Sequence, residues 1–214
     1  SRSRIIQRGD GVGMINYTIH YWGPLLFKTK ISEGELQEIK KLCKKDPEKS
    51  YNKSLAGDIK HEYLIDEKKV NDVLQPYLYA FRKAYTDWYA KSIDEVKASE
   101  AWVNYMQQGD FNPLHMHNGC DFSSVLYLSV PKELQEEIKR YRGTSKGPGC
   151  ITFIYGEESP YCGTWHIIQP EERDIFIFPY NLRHAVNPYK SKCERVSVAI
   201  NFIVKGGHYD KKNI

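Results

Sequence analysis

The order of apolar and polar positions divides the chain near residue 100 into a helix-bearing half and a strand-rich half. In the first half, "MINYTIHYWGPLLFKTKI" is rich in β-branched and aromatic residues and is interrupted at Gly23 and Pro24. That pattern suits two short strands, or one strand with a break. Ser32 and Glu35 then stand in the S-x-x-E spacing of a capping box, ahead of Leu36, Ile39 and Leu42 at helical spacing. This helix should stop by Asp46 and Pro47, because the residue before a proline is pushed out of the helical region. From about Asp66, the residues Val70, Val73, Leu74, Tyr77, Phe81, Tyr85 and Trp88 share one face of a longer helix, with a kink or break expected near Pro76.

From Ala101 the period changes. "AWVNYMQQG", "DFSSVLYLSV", "CITFIYG", "GTWHIIQP", "RDIFIFPY" and "RVSVAINFIV" are short segments of β-branched and aromatic residues divided by Gly, Pro, Asn and Asp. Between two of them, "KELQEEIKRYRGTSKGPG" reads as a short amphipathic helix followed by a glycine-rich turn. Many short strands after a helical half favour a barrel or sandwich with helices packed outside. No internal repeat is present, and residues 1–12 and 205–214 read as frayed ends.

Composition narrows the classes. The 214 residues, 41% of them hydrophobic, suffice for one sizeable core, so one domain is expected over residues 1–214, with helical support mainly in 32–95 and the barrel core mainly in 100–204. The formal charge is +4, with basic residues mixed among acidic ones, which gives no stripe for nucleic acid. No apolar run reaches the roughly 20 residues that span a bilayer, and "SRSRIIQRGDG" lacks the apolar stretch of a secretion signal, so an intracellular, cytoplasmic protein is expected. The five cysteines, Cys43, Cys120, Cys150, Cys162 and Cys193, are odd in number and contain no C-x-x-C pair. They read as free thiols, with Cys120 the one nearest the chemistry. Nothing here fixes an oligomeric state.

The chemistry concentrates in three places. His115 and His117 stand two apart at the entrance to an apolar segment. If both lie on one strand they point to the same face, and two neutral imidazoles converging inside a barrel make a metal site; a pair on an exposed edge strand is the plainer alternative. His184 follows an apolar strand and a Pro-Tyr turn, where a side chain reaches back into a barrel mouth. Arg195 and Ser197, again two apart, open a strong strand. An arginine on the inward face of such a strand is costly unless an anion meets it, and a carboxylate suits its planar fork. A ligand joining the two ends would chelate a metal and offer a carboxylate, and 2-oxoglutarate has that shape.

"HMHNGCDFSSVLYL", "FPYNLRHAVNPY" and "RVSVAINF" resemble, in this order, the motifs of the Fe(II)- and 2-oxoglutarate-dependent oxygenases, in particular a group found in marine bacteria and their phages. With "YWGPLLFKTKI", which resembles the start of that group, the likeness runs from about residue 17 to 204. It implies a mainly β fold with α: a double-stranded β-helix, jelly-roll or cupin-like, with the amino-terminal helices outside and a metal at its open end. It further implies Fe(II), 2-oxoglutarate and O2 as cofactor and cosubstrates, and hydroxylation of a C–H bond in a protein side chain, proline among them, or in a small molecule. Arg195 and Ser197 match the R-x-S that holds the 5-carboxylate of 2-oxoglutarate, and Tyr127 matches a tyrosine that reaches the same group in members resembling prolyl hydroxylases.

One position departs from the common pattern. Most members bind iron through His-x-Asp or His-x-Glu and a distal histidine, a triad of two imidazoles and a carboxylate. Here His117 occupies the acidic slot, with Asp121 as the alternative carboxylate four positions on. Strand spacing favours His117, giving His115, His117 and His184 as the metal set. Asn104, which alternates with Trp102 and Met106, is a candidate contact to cosubstrate or substrate, or else a satisfied polar residue of a sheet. His20 and His166 read as structural, and Tyr155, Tyr161 and Trp165 as a possible aromatic groove. Two other readings compete: a three-histidine cupin-type dioxygenase that does not use 2-oxoglutarate, and a non-catalytic barrel that serves as a binding module.

Overall fold

The computed structural model describes residues 2–5, 18–21, 23–143, 147–160 and 162–206. In chain order the strands and helices are β1 (Arg2–Ile5), β2 (Thr18–Tyr21), β3 (Phe27–Lys30), α1 (Glu33–Leu42), β4 (Glu62–Leu64), α2 (Glu67–Tyr89), β5 (Glu95–Met106), β6 (Asn112–His115), β7 (Phe122–Ser129), α3 (Lys132–Arg140), β8 (Ile151–Ile154), β9 (Trp165–Ile168), β10 (Asp174–Pro179), β11 (Arg183–Val186) and β12 (Arg195–Lys205).

Local chemistry sets the helix ends. The Ser32 hydroxyl accepts the Glu35 N–H at the start of α1 and also meets the Glu35 carboxylate, as the capping box requires. Asp66 caps α2 by accepting the N–H groups of Lys68 and Lys69 at 3.1 and 3.0 Å. The expected break at Pro76 does not occur: α2 is continuous from Glu67 to Tyr89. Pro76 lies on the exposed side, where water can replace the lost helix bond, while Leu74, Leu78 and Phe81 are buried against the sheet and hold the helix across it. The first helix ends at Leu42, short of the expected Asp46, and Pro47 instead opens a 3-10 turn capped by Asp46.

Two antiparallel sheets form the body. The larger runs in the order β3–β10–β7–β12–β5–β4 and the smaller in the order β6–β11–β8–β9, while β1 and β2 form a separate ribbon. Strands β3 and β4 come from the helical half and supply both edges of the larger sheet, so the sheet extends beyond the expected 100–204 segment. The period of two then sorts the side chains. Along β12, Val198, Ile200 and Phe202 join Leu74, Leu78 and Phe81 of α2 in one core, while Arg195, Ser197, Ala199 and Asn201 line a cavity on the other face. A second core between the sheets contains Met106, Tyr127, Phe176 and Phe178 from the larger sheet and Ile151, Phe153 and Val186 from the smaller. Helices thus cover one face of the larger sheet, and its other face with the smaller sheet encloses the cavity. Among the described residues no helix is long and apolar enough to cross a membrane.

Candidate active site

The cavity measures about 360 Å³, within the usual size range of small-molecule sites. At one end stand three histidines. His115, the last residue of β6, lies directly opposite His184 of β11 in the sheet register. His117 reaches the same point by a different route from the expected one. Strand β6 ends at His115, so strand period does not carry His117; the loop does, anchored by the His117 N–H donating to the Tyr180 carbonyl at 3.0 Å. The potential ligand nitrogens of the three histidines all lie within 4.8 Å of one another, and among the described residues they form the one such group of His, Cys, Asp and Glu side chains.

Backbone acceptors fix two of the rings. His115 Nδ1 lies 2.7 Å from the Pro113 carbonyl and His184 Nδ1 lies 2.9 Å from the Leu182 carbonyl. A carbonyl can only accept, so both Nδ1 atoms carry hydrogen and both Nε2 atoms offer a lone pair. His117 Nε2 and His184 Nε2 are 3.3 Å apart. Two nitrogens bound to one ion at about 2.1 Å, at angles between octahedral and tetrahedral, stand about 3.0–3.4 Å apart, so the pair fits a shared metal. Burial lowers the pKa of all three rings: below the ordinary 6.5 for His115, to about 4 for His117 and to about 3 for His184, with the His115 ring adding to the effect on the other two. The rings are therefore neutral at pH 7, as ligands must be. The Phe178 ring centre lies 4.7 Å from that of His184 in an edge-on arrangement, and the Phe153 ring centre 6.0 Å away, which restricts water on that side.

Asp121 is committed elsewhere. Its carboxylate accepts the Val204 N–H at 2.9 Å and its backbone N–H donates to Phe202, so it ties the end of β12 to the loop. Cys120 nearby has its thiol pushed up to about 11 by burial and the Asp121 and Glu100 charges, so it is protonated at neutral pH.

The other end of the cavity is cationic. Arg195 is 2% exposed; Nη1 donates to the Gly149 carbonyl at 2.7 Å and Nη2 approaches Met106 Sδ at 2.9 Å, while Nε has no partner. The turn that places this carbonyl requires glycine: Gly149 has φ 66°, and an added Cβ would stand 3.0 Å from Leu134. The guanidinium lies 5.3 Å from the Tyr127 ring centre, and the fully buried Tyr127 hydroxyl is also without a partner. No carboxylate ion-pairs with Arg195 among the described residues. A buried guanidinium with no counter-anion and an unpaired Nε, beside a buried hydroxyl with no partner, is what an anionic ligand would satisfy.

One register row crosses four strands of the larger sheet: Glu62 of β4, Asn104 of β5, Ser197 of β12 and Tyr127 of β7. All four are buried and line the cavity, which brings the expected Asn104, Ser197 and Tyr127 together with Arg195. Sequence reasoning missed Glu62, Glu100 and Asn201, and the segment around Tyr51 and Ile59 that closes one side. Asn201 was within reach of the two-residue rhythm that runs from Arg195 and Ser197, whereas Glu62 sits on a strand of only three residues. Outside the cavity lie His166, which is exposed, and Tyr155 and Trp165, at 56% and 44% exposure. Tyr161 and the side chain of His20 fall outside the described residues.

Residues 100–201 match the family described as "Putative 2OG-Fe(II) oxygenase". No curated protein matches the chain. Among solved structures, a prolyl-4-hydroxylase of Pseudomonas putida is similar over 85% of this chain and 93% of its own, at TM-score 0.52 and 17% identity. The viral collagen prolyl hydroxylase of Paramecium Bursaria Chlorella virus-1 is similar over 83% and 94%, at TM-score 0.51 and 16% identity. An oxidoreductase of the 2OG-Fe(II) oxygenase family from Burkholderia pseudomallei is similar over 85% and 84%, at TM-score 0.51 and 14% identity. At such identities the likeness speaks for the fold, the double-stranded β-helix.

Proposed function

We propose, for a chain whose residues 100–201 match the family described as "Putative 2OG-Fe(II) oxygenase", a hydroxylase whose metal is held by His115, His117 and His184 and whose 2-oxoglutarate is held by Arg195. The observation that carries this reading is the pairing, within one cavity, of three converging neutral imidazoles with a buried arginine that lacks an anion. Fe(II) bound there supplies the oxygen chemistry that couples decarboxylation of 2-oxoglutarate to succinate with hydroxylation of a C–H bond.

The chain's own groups bind, orient and exclude water. The Pro113 and Leu182 carbonyls hold His115 and His184 in the Nε2-ligand tautomer. Arg195 receives the distal carboxylate of 2-oxoglutarate, to which Tyr127 and Ser197 add hydroxyl donors from the neighbouring strands. Asn104, one strand further, has its amide oxygen unpaired and faces the same space, in reach of cosubstrate or substrate. Phe153 and Phe178 keep the His184 side dry. The substrate is a protein side chain or a small molecule.

Three neutral ligands also suit a dioxygenase that needs no 2-oxoglutarate, and the absence of a carboxylate from the histidine group favours that second reading. The unpaired Arg195 favours the first, because an enzyme without an anionic cosubstrate has no use for a buried guanidinium at this place. Calorimetric titration of the Mn(II)-loaded protein with 2-oxoglutarate under nitrogen separates them. Stoichiometric binding, and succinate release from the Fe(II) form in air, are expected; binding of metal with no binding of 2-oxoglutarate would establish the second reading.

A further inference from the structure

Toward the β4 edge, the sheet face that carries Arg195 has the reverse chemistry. Glu62 is 1% exposed, lines the cavity, and has carboxylate oxygen Oε2 without any hydrogen-bond partner. Beside it, Asn104 is 6% exposed and its amide oxygen is likewise unpartnered. Four residues back along β5 and opposite Asn201 of β12, Glu100 lines the cavity with its carboxylate held by the Tyr51 hydroxyl and by Asn201 Nδ2 at 3.3 Å. No lysine or arginine ion-pairs with either glutamate among the described residues, and Arg195 is the single permanent cation among the residues lining the cavity. The strongest charge near Glu62 is another acid, Asp110, and burial with that repulsion raises its pKa to about 8. Without a bound cation this carboxyl is therefore largely protonated at neutral pH, and an entering cation displaces the proton to leave the carboxylate.

A buried carboxyl without a donor is costly, and a site in which several acceptors converge unpaired asks for a ligand that brings donors. 2-Oxoglutarate cannot supply them, because its two carboxylates are acceptors and are drawn to the arginine and to the metal. We infer that the wall formed by Glu62, Asn104 and Glu100 binds the oxidised substrate, and that this substrate carries a protonated amine or guanidinium which Glu62 receives. The inference rests on the reading of the cavity as a 2-oxoglutarate oxygenase site and names the substrate class of that site. The two glutamates lie on neighbouring strands of one sheet, so a long cationic chain of the lysine or arginine kind can lie along them with its methylene groups against Trp102, which lies on β5 between Glu100 and Asn104.

The test uses four probes: Nα-acetyl-lysine amide and Nα-acetyl-arginine amide, with Nα-acetyl-norleucine amide and Nα-acetyl-glutamine amide as neutral partners. Each is titrated by calorimetry into the Mn(II)- and 2-oxoglutarate-loaded protein and into the metal-free protein, with 2-oxoglutarate affinity measured separately. At least one cationic probe should bind tenfold or more tightly than its neutral partner, and Glu62→Gln, which keeps the shape and removes the charge, should abolish that preference while 2-oxoglutarate affinity stays within twofold. Equal affinities, no binding of any probe, or a preference that survives in Glu62→Gln would overturn the inference. Failure of the parent to bind 2-oxoglutarate would fault the functional reading instead, and the cation preference would still be read in the metal-free titration.

Discussion

Replacing Arg195 by Met keeps most of the side-chain volume and removes the fork. The structure gives two opposed consequences. Without ligand, Arg195 has one good acceptor, Gly149, and an unpaired Nε at 2% exposure, so its removal relieves a buried charge about as much as it loses a hydrogen bond. The melting temperature of the ligand-free variant should therefore stay within a few degrees of the parent's. With 2-oxoglutarate the balance reverses, because truncating one member of a buried charged pair costs about 2–5 kcal/mol, or about 30- to 5,000-fold in Kd. At 2-oxoglutarate concentrations a hundredfold above the parent's Kd, binding stabilises by about 2.7 kcal/mol, which at roughly 2–4 °C per kcal/mol for a chain of this size is a shift of about 5–11 °C. In Arg195→Met at the same concentration the shift should fall to about 3 °C or less. The assay is thermal unfolding of the Mn(II)-loaded proteins across a 2-oxoglutarate series, with Mn(II) affinity as the control that should not move. A parent-like shift in the variant would refute the assignment of Arg195 to the carboxylate.

Other perturbations address the metal end and the acidic wall. His184→Ala leaves two ligands and should lower Mn(II) affinity at least tenfold, measured by metal content after dialysis. His117→Ala should do the same, whereas Asp121→Ala should retain the metal and lose about 1 kcal/mol of stability with the Val204 bond, read by urea unfolding. The pH dependence of stability should show Glu62: with its folded pKa raised from 4.5 to about 8, the unfolded chain releases this proton first, so stability is retained below about pH 4.5 and falls as pH rises toward 8. Glu62→Gln should remove that fall and gain about 1–3 kcal/mol at pH 8 in the ligand-free protein, a range reduced from the full shift because the carboxyl borders a cavity open to water. An unchanged pH profile in the variant would count against a buried, protonated Glu62.

The strands of the second half were readable because each is a short run with a strict period of two, and that period placed Arg195 and Ser197 on one face correctly. The same rule gave the wrong reason for His117, whose position depends on a loop closing on Tyr180, a contact 63 positions away that no local pattern encodes. Pro76 predicted a break that long-range packing of α2 overrides. Glu62 was invisible for a related cause: a three-residue strand has too little length for periodicity, and its place at the sheet edge follows from pairing with β5, far along the chain. Local alternation therefore made most of the site legible, and would have reached Asn201 and Glu100 had it been followed along β12 and β5, whereas Glu62 and the His117 loop depend on distant segments.

The central claim is that one cavity holds a metal by three histidines and 2-oxoglutarate by an arginine. The most direct measurement is a crystal structure of the protein with Mn(II) and 2-oxoglutarate, grown without oxygen. It should show the ion on Nε2 of His115 and His184 and on His117, with the distal carboxylate of 2-oxoglutarate against Arg195 and Tyr127. An ion bound by Asp121 in place of His117, or a carboxylate lying away from Arg195, would contradict it.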